Sequence, residues 1–140
     1  MSAACDADRI DGHLLALVIS HTDAPAAVRE QLSLDDATQR ALMAAADARA
    51  SVIQGIATLS TCSRTELYAV VRSPVEGLSA LRTLMARHSG APDEVIDRMR
   101  AVRGDAVVRH IMRVSSGLES LMLGEHEILG QLREMLHRTV

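Results

Sequence analysis

Residues 55–72 read GIATLSTCSRTELYAVVR, two strand-like segments on either side of a short polar one. Residues 55–61 and 66–72 are largely apolar and contain Ile, Val, Thr and Tyr, which is typical of β-strands. The Cys-Ser-Arg-Thr segment between them carries hydroxyl groups, a guanidinium and a thiol, which would be costly to bury without partners. We therefore predict two strands joined by a short polar turn, with Cys62 partly exposed at its tip.

The rest of the chain shows helix and strand patterns on both sides of this pair. The unbroken apolar run of residues 14–19, followed by Ser20, predicts a central strand over residues 14–20, and Asp35 and Asp36 are suited to begin a helix. Further elements are predicted as helices over residues 25–32, 36–50, 75–88, 106–116 and 126–138, and as a strand near residues 99–102. The order β-α-α-β-β-α-β-α-α predicts an α+β fold, a ferredoxin-like plait built on a split β-α-β unit with additional helices.

The length of 140 residues fits one domain with a short tail. Residues 1–13 are expected to form a flexible N-terminal tail, and residues 14–140 the folded domain. Because Trp and Phe are absent and Tyr68 is the sole aromatic residue, aliphatic side chains and Met must fill the core. The net charge of −3 argues against a general polyanion-binding protein. A basic face or an ordinary solvated surface is expected from the clustered residues Arg98, Arg100, Arg103, Arg109 and Arg113.

The cysteines and the apolar segments bear on the cellular compartment. Cys5 and Cys62 lie far apart and lack the spacing of a disulfide framework or a metal site, which fits a reducing environment. The apolar run of residues 14–19 is too short to span a bilayer. Acidic residues precede it, where a signal peptide would carry positive charge. We therefore expect a cytoplasmic protein without a membrane segment.

Cys62 is the candidate nucleophile of this sequence. A lone cysteine is more often a small buried apolar residue, but the polar neighbours and the turn position favour a reactive thiol here. The nearby Arg64 would favour the thiolate, which is the nucleophilic form. His110 lies on a predicted helix and is the candidate partner, although a helical histidine is more often a surface or satisfied core residue. Its catalytic interpretation requires that the fold bring it near Cys62.

Residues 116–131, SGLESLMLGEHEILGQ, form a second unusual region. Glycines interrupt an otherwise apolar helical pattern, which indicates either close backbone approach to a ligand or a helix-loop-helix turn packed on the core. The letters HEIL begin like the zinc-protease motif HExxH, but Gly130 stands in place of the second histidine, so no metal site is predicted. The sequence also lacks GxGxxG after a strand, so no cofactor-binding residues are predicted in this chain.

Four segments, in matching order and spacing, resemble motifs of the glutamyl-tRNA reductase family. Residues 60–68, STCSRTELY, resemble STCNRTE followed by Leu or Ile and then Tyr. Residues 110–120, HIMRVSSGLES, resemble HLxRVASGLDS, and residues 123–131, LGEHEILGQ, resemble LGEPQILGQ. Residues 21–30, HTDAPAAVRE, are similar to HKTAPxxxRE with less fidelity. From about residue 14 onward, the chain thus resembles the N-terminal catalytic domain of that family.

The resemblance implies the first committed step of tetrapyrrole, and hence porphyrin and haem, biosynthesis. The cysteine thiolate attacks the ester carbon of glutamyl-tRNA(Glu), the tRNA leaves, and a glutamyl thioester remains. NADPH, bound by a domain absent from this chain, then reduces the thioester to glutamate-1-semialdehyde. The resemblance also implies a homodimer formed through an absent C-terminal domain, with glutamate-1-semialdehyde aminomutase as a further partner. The chain alone is expected to be monomeric, to bind no NADPH and to be limited to acyl transfer or ester hydrolysis.

The motifs also imply roles for individual residues. Cys62 matches the nucleophile, and His110 matches a histidine that orients or polarises the ester. Thr61 and Arg64 match positions that hold the glutamyl group, for which a guanidinium suits a carboxylate. Further substrate-contacting positions correspond to Ser63, Ser120, Glu125, His126, Glu127 and Gln131.

The sequence departs from the family's motifs at three of these positions. Ser63 stands where Asn is usual, which removes a side-chain amide beside the nucleophile. His126 and Glu127 replace Pro and Gln, which adds a carboxylate near an acidic substrate. Two other interpretations therefore stay open: a stand-alone paralogue that binds tRNA or a protein partner without catalysis, and a cysteine acyltransferase that acts on another ester or thioester.

Overall fold

The computed structural model describes residues 12–114 and the backbone of residues 122–123. Along the chain its elements are β1 (His13–Ser20), α1 (Ala26–Gln31), α2 (Asp36–Asp47), β2 (Ile53–Ser60), β3 (Arg64–Val71), α3 (Pro74–Ser89), α4 (Asp93–Ile96), β4 (Arg100–Arg103), α5 (Asp105–Arg113) and β5 (Met122–Leu123). The predicted α+β class is confirmed. Most of the predicted tail and the predicted helix over residues 126–138 lie outside the described residues.

The five strands of the described part form one sheet in the order β4-β1-β3-β2-β5, with antiparallel neighbours. β1 pairs with β3 along its whole length, from His13 opposite Val71 to Ser20 opposite Arg64, and with β4 on its other side. β2 and β3 form the expected hairpin, whose last pair is Ser60 with Thr65. The hairpin turn that carries Cys62 therefore lies at the same end of the sheet as the end of β1.

One face of the sheet carries the larger core. Leu15, Leu17 and Ile19 alternate along β1 and pack with α2 and α3 into a cluster of buried aliphatic and Met side chains. Leu42 of α2 and Leu84 of α3 are fully buried in this cluster. Burying a Leu or Ile side chain stabilises a fold by roughly 1.5–3 kcal/mol relative to leaving it exposed.

The opposite face carries a smaller core and a group of polar side chains. Val18 of β1 packs there in one cluster with Val70 of β3, and α5 contributes further apolar residues to the cluster. Because side chains alternate along a strand, Arg64, Glu66 and Tyr68 share this face. The polar group is therefore placed between the sheet and α5.

Local signals explain where the two longer helices begin and end. Asp35 caps α2, because its carboxylate accepts the backbone N–H of Thr38 at 2.8 Å. α3 follows Ser73, whose hydroxyl oxygen accepts the N–H of Glu76 at 3.4 Å. It ends at Ser89 and is capped by Gly90, where a φ of 73° is a left-handed conformation that glycine adopts without strain.

Several predicted boundaries differ from the observed ones. The predicted tail extends to residue 13, but His13 already belongs to β1. The sequence predicts neither α4 nor β5, because a single helical turn and a two-residue strand are too short to show a period. The helix predicted to reach residue 116 ends at Arg113, and the helix predicted to reach residue 50 ends at Asp47.

Two expectations from the sequence concern the clustered arginines and the lack of a membrane segment. The clustered arginines between residues 98 and 113 are all exposed. Arg100 pairs with Asp23 at 2.8 Å, which favours an ordinary mixed-charge surface at that position. Among the described residues, no helix combines the length and the apolarity needed to cross a membrane.

Candidate active site

Cys62 lies in the tight turn that joins β2 to β3, where it is an exposed, free cysteine, as the sequence predicts. The backbone N–H of Thr61 donates to the carbonyl of Arg64 at 2.8 Å and closes the turn. Within the turn, the hydroxyl oxygen of Thr61 accepts the N–H of Ser63 at 3.3 Å and lies 3.3 Å from the hydroxyl of Ser63. The residue that carries the thiol is therefore flanked by hydrogen-bonded neighbours.

Contacts from an earlier part of the chain anchor this turn. The hydroxyl oxygen of Ser60 accepts the N–H of Leu34 at 3.0 Å and lies 3.0 Å from the hydroxyl of Thr65. The guanidinium of Arg29, on α1, donates from Nη1 to the carbonyl of Cys62 at 2.8 Å. The hairpin turn is thus tied to the segment between β1 and α2.

A buried carboxylate lies two residues beyond Arg64 on β3. Glu66 has 0% exposed surface, so its charge is removed from water. Its Oε1 accepts Nη1 of Arg64 at 2.9 Å, whereas Oε2 accepts the hydroxyl of Tyr68 and lies 2.8 Å from Nε2 of His110. Buried charges are tolerated where they are paired and hydrogen-bonded, and these three partners meet that requirement.

Tyr68 and His110 share one oxygen of Glu66. Burial, together with the charge and the hydrogen bond of Glu66, raises the pKa of Tyr68 well above its usual 10.0. The phenol is therefore neutral near neutral pH and donates its proton to the carboxylate. An ionised carboxylate only accepts hydrogen bonds, so the proton that joins His110 to Glu66 sits on Nε2 and leaves Nδ1 for another partner.

The structure places the predicted site residues in two connected positions. Residues 61–64 form the hairpin turn. Arg64 pairs with Glu66, and Glu66 also binds His110. The hydrogen bond of His110 is to Glu66, so its direct pairing with Cys62 stays a prediction. Outside the described residues lie the remaining predicted positions: Ser120, Glu125, His126, Glu127 and Gln131.

Three residues of this arrangement are not among those predicted from the sequence: Glu66, Tyr68 and Arg29. Glu66 and Tyr68 follow Arg64 with a period of two, which places all three on one face of a strand. An acidic residue inside a predicted buried strand needs a partner, and this signal points to Glu66. No local pattern connects Arg29 with a carbonyl 33 residues away.

Comparison with known proteins identifies the family to which this chain belongs. A family model described as "Glutamyl-tRNAGlu reductase, N-terminal domain" matches residues 17–140. The chain belongs to this family. The matched range of the glutamyl-tRNA reductase domain contains the hairpin turn, the buried carboxylate and α5.

Individual glutamyl-tRNA reductases are similar to the chain in sequence and structure. The one from Prochlorococcus marinus is 36% identical over 125 residues, which are 89% of the chain. The one from a Synechococcus species is 36% identical over 124 residues, which are 88% of the chain. The solved structure of the enzyme from Methanopyrus kandleri matches 93% of the chain with 28% identity and a TM-score of 0.54. The chain spans 28% of the length of each of these proteins.

Proposed function

We propose that this domain takes glutamate from glutamyl-tRNA(Glu) by acyl transfer to Cys62. The thiolate sulfur forms a bond to the ester carbon, and the bond from that carbon to the terminal ribose oxygen of the tRNA breaks. The ribose oxygen takes up a proton from water and leaves, while the glutamyl group stays on the sulfur as a thioester. The observation that carries the proposal is an exposed cysteine, held in a tight hairpin turn, in a member of the glutamyl-tRNA reductase family.

Arg64 is suited to bind the glutamyl carboxylate beside this nucleophile. Its side chain is partly exposed, and its Nη1 is held by Glu66 at 2.9 Å. The guanidinium carries five N–H donors in a planar fork, which matches the geometry of a carboxylate. We infer that Glu66 fixes the plane of the fork and that other N–H groups of Arg64 bind the substrate.

The remaining site residues are assigned to orientation of the ester and of the glutamyl group. Because Nε2 donates to Glu66, Nδ1 of His110 is the nitrogen left to face the substrate, and an N–H donor at Nδ1 would orient or polarise the ester carbonyl. Thr61 and Ser63 place hydroxyl groups directly beside Cys62. Further contacts to the glutamyl group are proposed, from the motifs alone, for Ser120, Glu125, His126, Glu127 and Gln131.

The reducing cofactor is assigned to another domain of the whole enzyme. Dinucleotides bind at glycine-rich turns that follow parallel strands. The strands described are antiparallel and the sequence has no GxGxxG after a strand, so these residues do not fit NADPH. Within residues 12–114, no three His, Cys, Asp or Glu side chains are grouped to hold a metal ion. Reduction to glutamate-1-semialdehyde, homodimerisation and contact with the aminomutase are proposals for the whole protein, in the cytoplasm.

The scaffold that carries this chemistry is inferred to be a ferredoxin-like plait. The order β4-β1-β3-β2 with antiparallel neighbours supports this inference. So do the connections, because α1 and α2 link β1 to β2, whereas α3 and α4 link β3 to β4. α2 and α3 pack on one face of the sheet, and α5 is an additional helix on the other.

Incubation of the 140-residue chain with glutamyl-tRNA(Glu) tests the proposal. We expect a covalent glutamyl adduct by mass spectrometry, and glutamate release faster than from the charged tRNA alone. Cys62→Ala should abolish both, whereas Cys5→Ala, which removes the other cysteine, is the matched control and should retain both. Release at the wild-type rate by Cys62→Ala would reject this cysteine as the nucleophile. Binding of charged tRNA without any adduct would favour the non-catalytic paralogue instead.

A further inference from the structure

Arg29 holds two backbone carbonyls with a single guanidinium. Nη1 donates to the carbonyl of Cys62 at 2.8 Å, and Nε donates to the carbonyl of Ala24 at 3.1 Å. We propose that Arg29 is a positioning residue, which fixes the nucleophilic turn against the segment between β1 and α1. This inference rests on the function proposed above for Cys62.

The contact is placed where it restricts the nucleophile directly. It holds the carbonyl of Cys62 itself, whereas the other hydrogen bonds within the turn hold Thr61, Ser63 and Arg64. The peptide unit is planar, so a hydrogen bond that fixes the direction of the Cys62 carbonyl also fixes the plane of the peptide unit that follows Cys62. The directions available to the Cα–Cβ bond, and hence to the sulfur, are narrowed as a result.

The second carbonyl connects this contact to the rigid part of the fold. Ala24 follows β1 closely, and its own N–H donates to the carbonyl of Ser20, the last residue of that strand, at 3.2 Å. β1 is paired on both sides, with β3 and with β4. Arg29 therefore ties the position of Cys62 to an interior strand of the sheet, which is paired along both edges.

An arginine suits this role for a geometric reason. Its guanidinium is planar and its N–H groups point in fixed directions, so Nε and Nη1 can serve two acceptors at once. Hydrogen bonds from a charged donor are also stronger than those between neutral groups. Lysine keeps the charge but offers a single ammonium on a flexible stem, so it does not reproduce the pair of contacts.

The rate of acyl transfer should report this role, because attack on the ester requires accurate placement of the sulfur. Misplacement by about 1 Å costs roughly 100-fold in rate. We expect Arg29→Gln to lower kcat for glutamate release roughly 10- to 100-fold. KM should change little, because the described contacts of Arg29 are with backbone and not with the proposed substrate position. Arg29→Lys should show most of the same loss.

Two measurements on the 140-residue chain separate positioning from a general loss of structure. Hydrogen exchange at the backbone amide of Thr61, which closes the turn, should become faster in Arg29→Gln, in parallel with the fall in kcat. Arg82→Gln is the matched control, because it removes an arginine that is partly exposed like Arg29 and that pairs with Asp97, at 3.1 Å, away from the turn. This control should change neither quantity.

Each of three results would overturn the assignment: unchanged exchange at Thr61 in Arg29→Gln, wild-type kcat in Arg29→Lys, or equal losses in Arg29→Gln and Arg82→Gln. The second result would mean that charge alone matters and that the paired geometry does not. Failure of the proposed function is distinguishable, because it shows as wild-type release by Cys62→Ala, whereas exchange in the turn is measured without substrate.

Discussion

Nε2 of His110 lies 2.8 Å from Oε2 of Glu66, so a helix and a strand whose contacting residues are 44 positions apart meet at one buried oxygen. The other oxygen of Glu66 accepts Arg64, which is two residues from Cys62. The histidine and the hairpin turn are therefore coupled through Glu66. A change at this carboxylate is expected to affect α5, the turn and acyl transfer together.

Replacing Glu66 with Gln should destabilise the protein. The amide keeps the shape of the side chain but carries no charge, and its NH₂ group would face donors such as Tyr68. We expect the free energy of unfolding, measured by urea denaturation, to fall by about 3 kcal/mol, the lower end of the cost of breaking a buried ion pair. Glu94→Gln, at an exposed carboxylate of α4, should change it by no more than about 0.5 kcal/mol. Similar losses in the two variants would contradict a special role for the buried pair.

Tyr68 should ionise only when the fold opens at alkaline pH. Its pKa is raised by burial and by Glu66, so the unfolded chain loses the phenolic proton first. The stability that depends on the protonated phenol is therefore full below about pH 10 and is lost as the pH rises above that value. Because Tyr68 is the sole aromatic residue, phenolate absorbance reports on it alone. We expect absorbance and circular dichroism to change in a single transition.

The matched variant for this measurement is Tyr68→Phe, which keeps the ring in the core and removes the hydroxyl. It should abolish the absorbance change and lower the free energy of unfolding by about 1 kcal/mol, since one donor to Glu66 is lost. A phenolate signal with an ordinary midpoint, recorded while the circular dichroism stays native, would show that the phenol is not held as described.

The ion pair of Asp23 with Arg100 should contribute stability that disappears in acid. Burial raises the pKa of Asp23, but the hydrogen bonds from Arg100 and Ser20 and the charge of Arg100 outweigh it and hold that pKa below the usual 3.8. The contribution is therefore present above about pH 4 and is lost as the pH falls through the lowered value. Because half of the Arg100 side chain is exposed, we expect no more than about 1 kcal/mol near neutral pH.

A double-variant cycle measures this pair without interference from other acidic groups. The free energy of unfolding of wild type, Asp23→Asn, Arg100→Gln and the double variant should give a coupling energy that is larger near pH 7 than near about pH 3. A coupling energy that stays constant between the two conditions would mean that ionisation of Asp23 does not control it.

Much of the sheet can be predicted from the sequence because its central strands are apolar on both faces. Residues 14–20 are all buried in β1, and such an unbroken run differs clearly from the polar segments around it. The cap of α2 is equally local, since Asp35 and its partner Thr38 are three residues apart. α4 and β5 cannot be predicted in this way, because elements of four and two residues are too short to give a periodic signal.

The site is less predictable, because its decisive contacts join distant segments. The polar neighbours of Cys62 suffice to predict its exposure. The predicted strand begins at residue 66, however, and only the observed start of β3 at Arg64 places Arg64 and Glu66 on one face. Periodicity does not determine which residue of α5 meets which residue of β3. The bond of His110 to Glu66 therefore emerges only from the packing of the helix on the sheet.

Replacing His110 with Gln should separate the structural part of this histidine from its catalytic part. Gln can donate from its amide to Oε2 of Glu66, as Nε2 of His110 does at 2.8 Å, but it has no imidazole to orient or polarise the ester. We expect the free energy of unfolding to change by less than about 1 kcal/mol. Glutamate release from charged tRNA should fall roughly 100- to 1,000-fold, as when a group that stabilises developing charge is removed.

Two further variants make the separation of these roles testable. His110→Ala also removes the donor to the buried carboxylate. It should therefore lower the free energy of unfolding by about 1–3 kcal/mol more than His110→Gln does. His88→Gln on α3 is the matched control: burial and the charge of Arg87 lower the pKa of His88, so a neutral Gln should leave release unchanged. Wild-type release by His110→Gln would mean that the imidazole serves only the fold, and that polarisation of the ester must come from another group near Cys62.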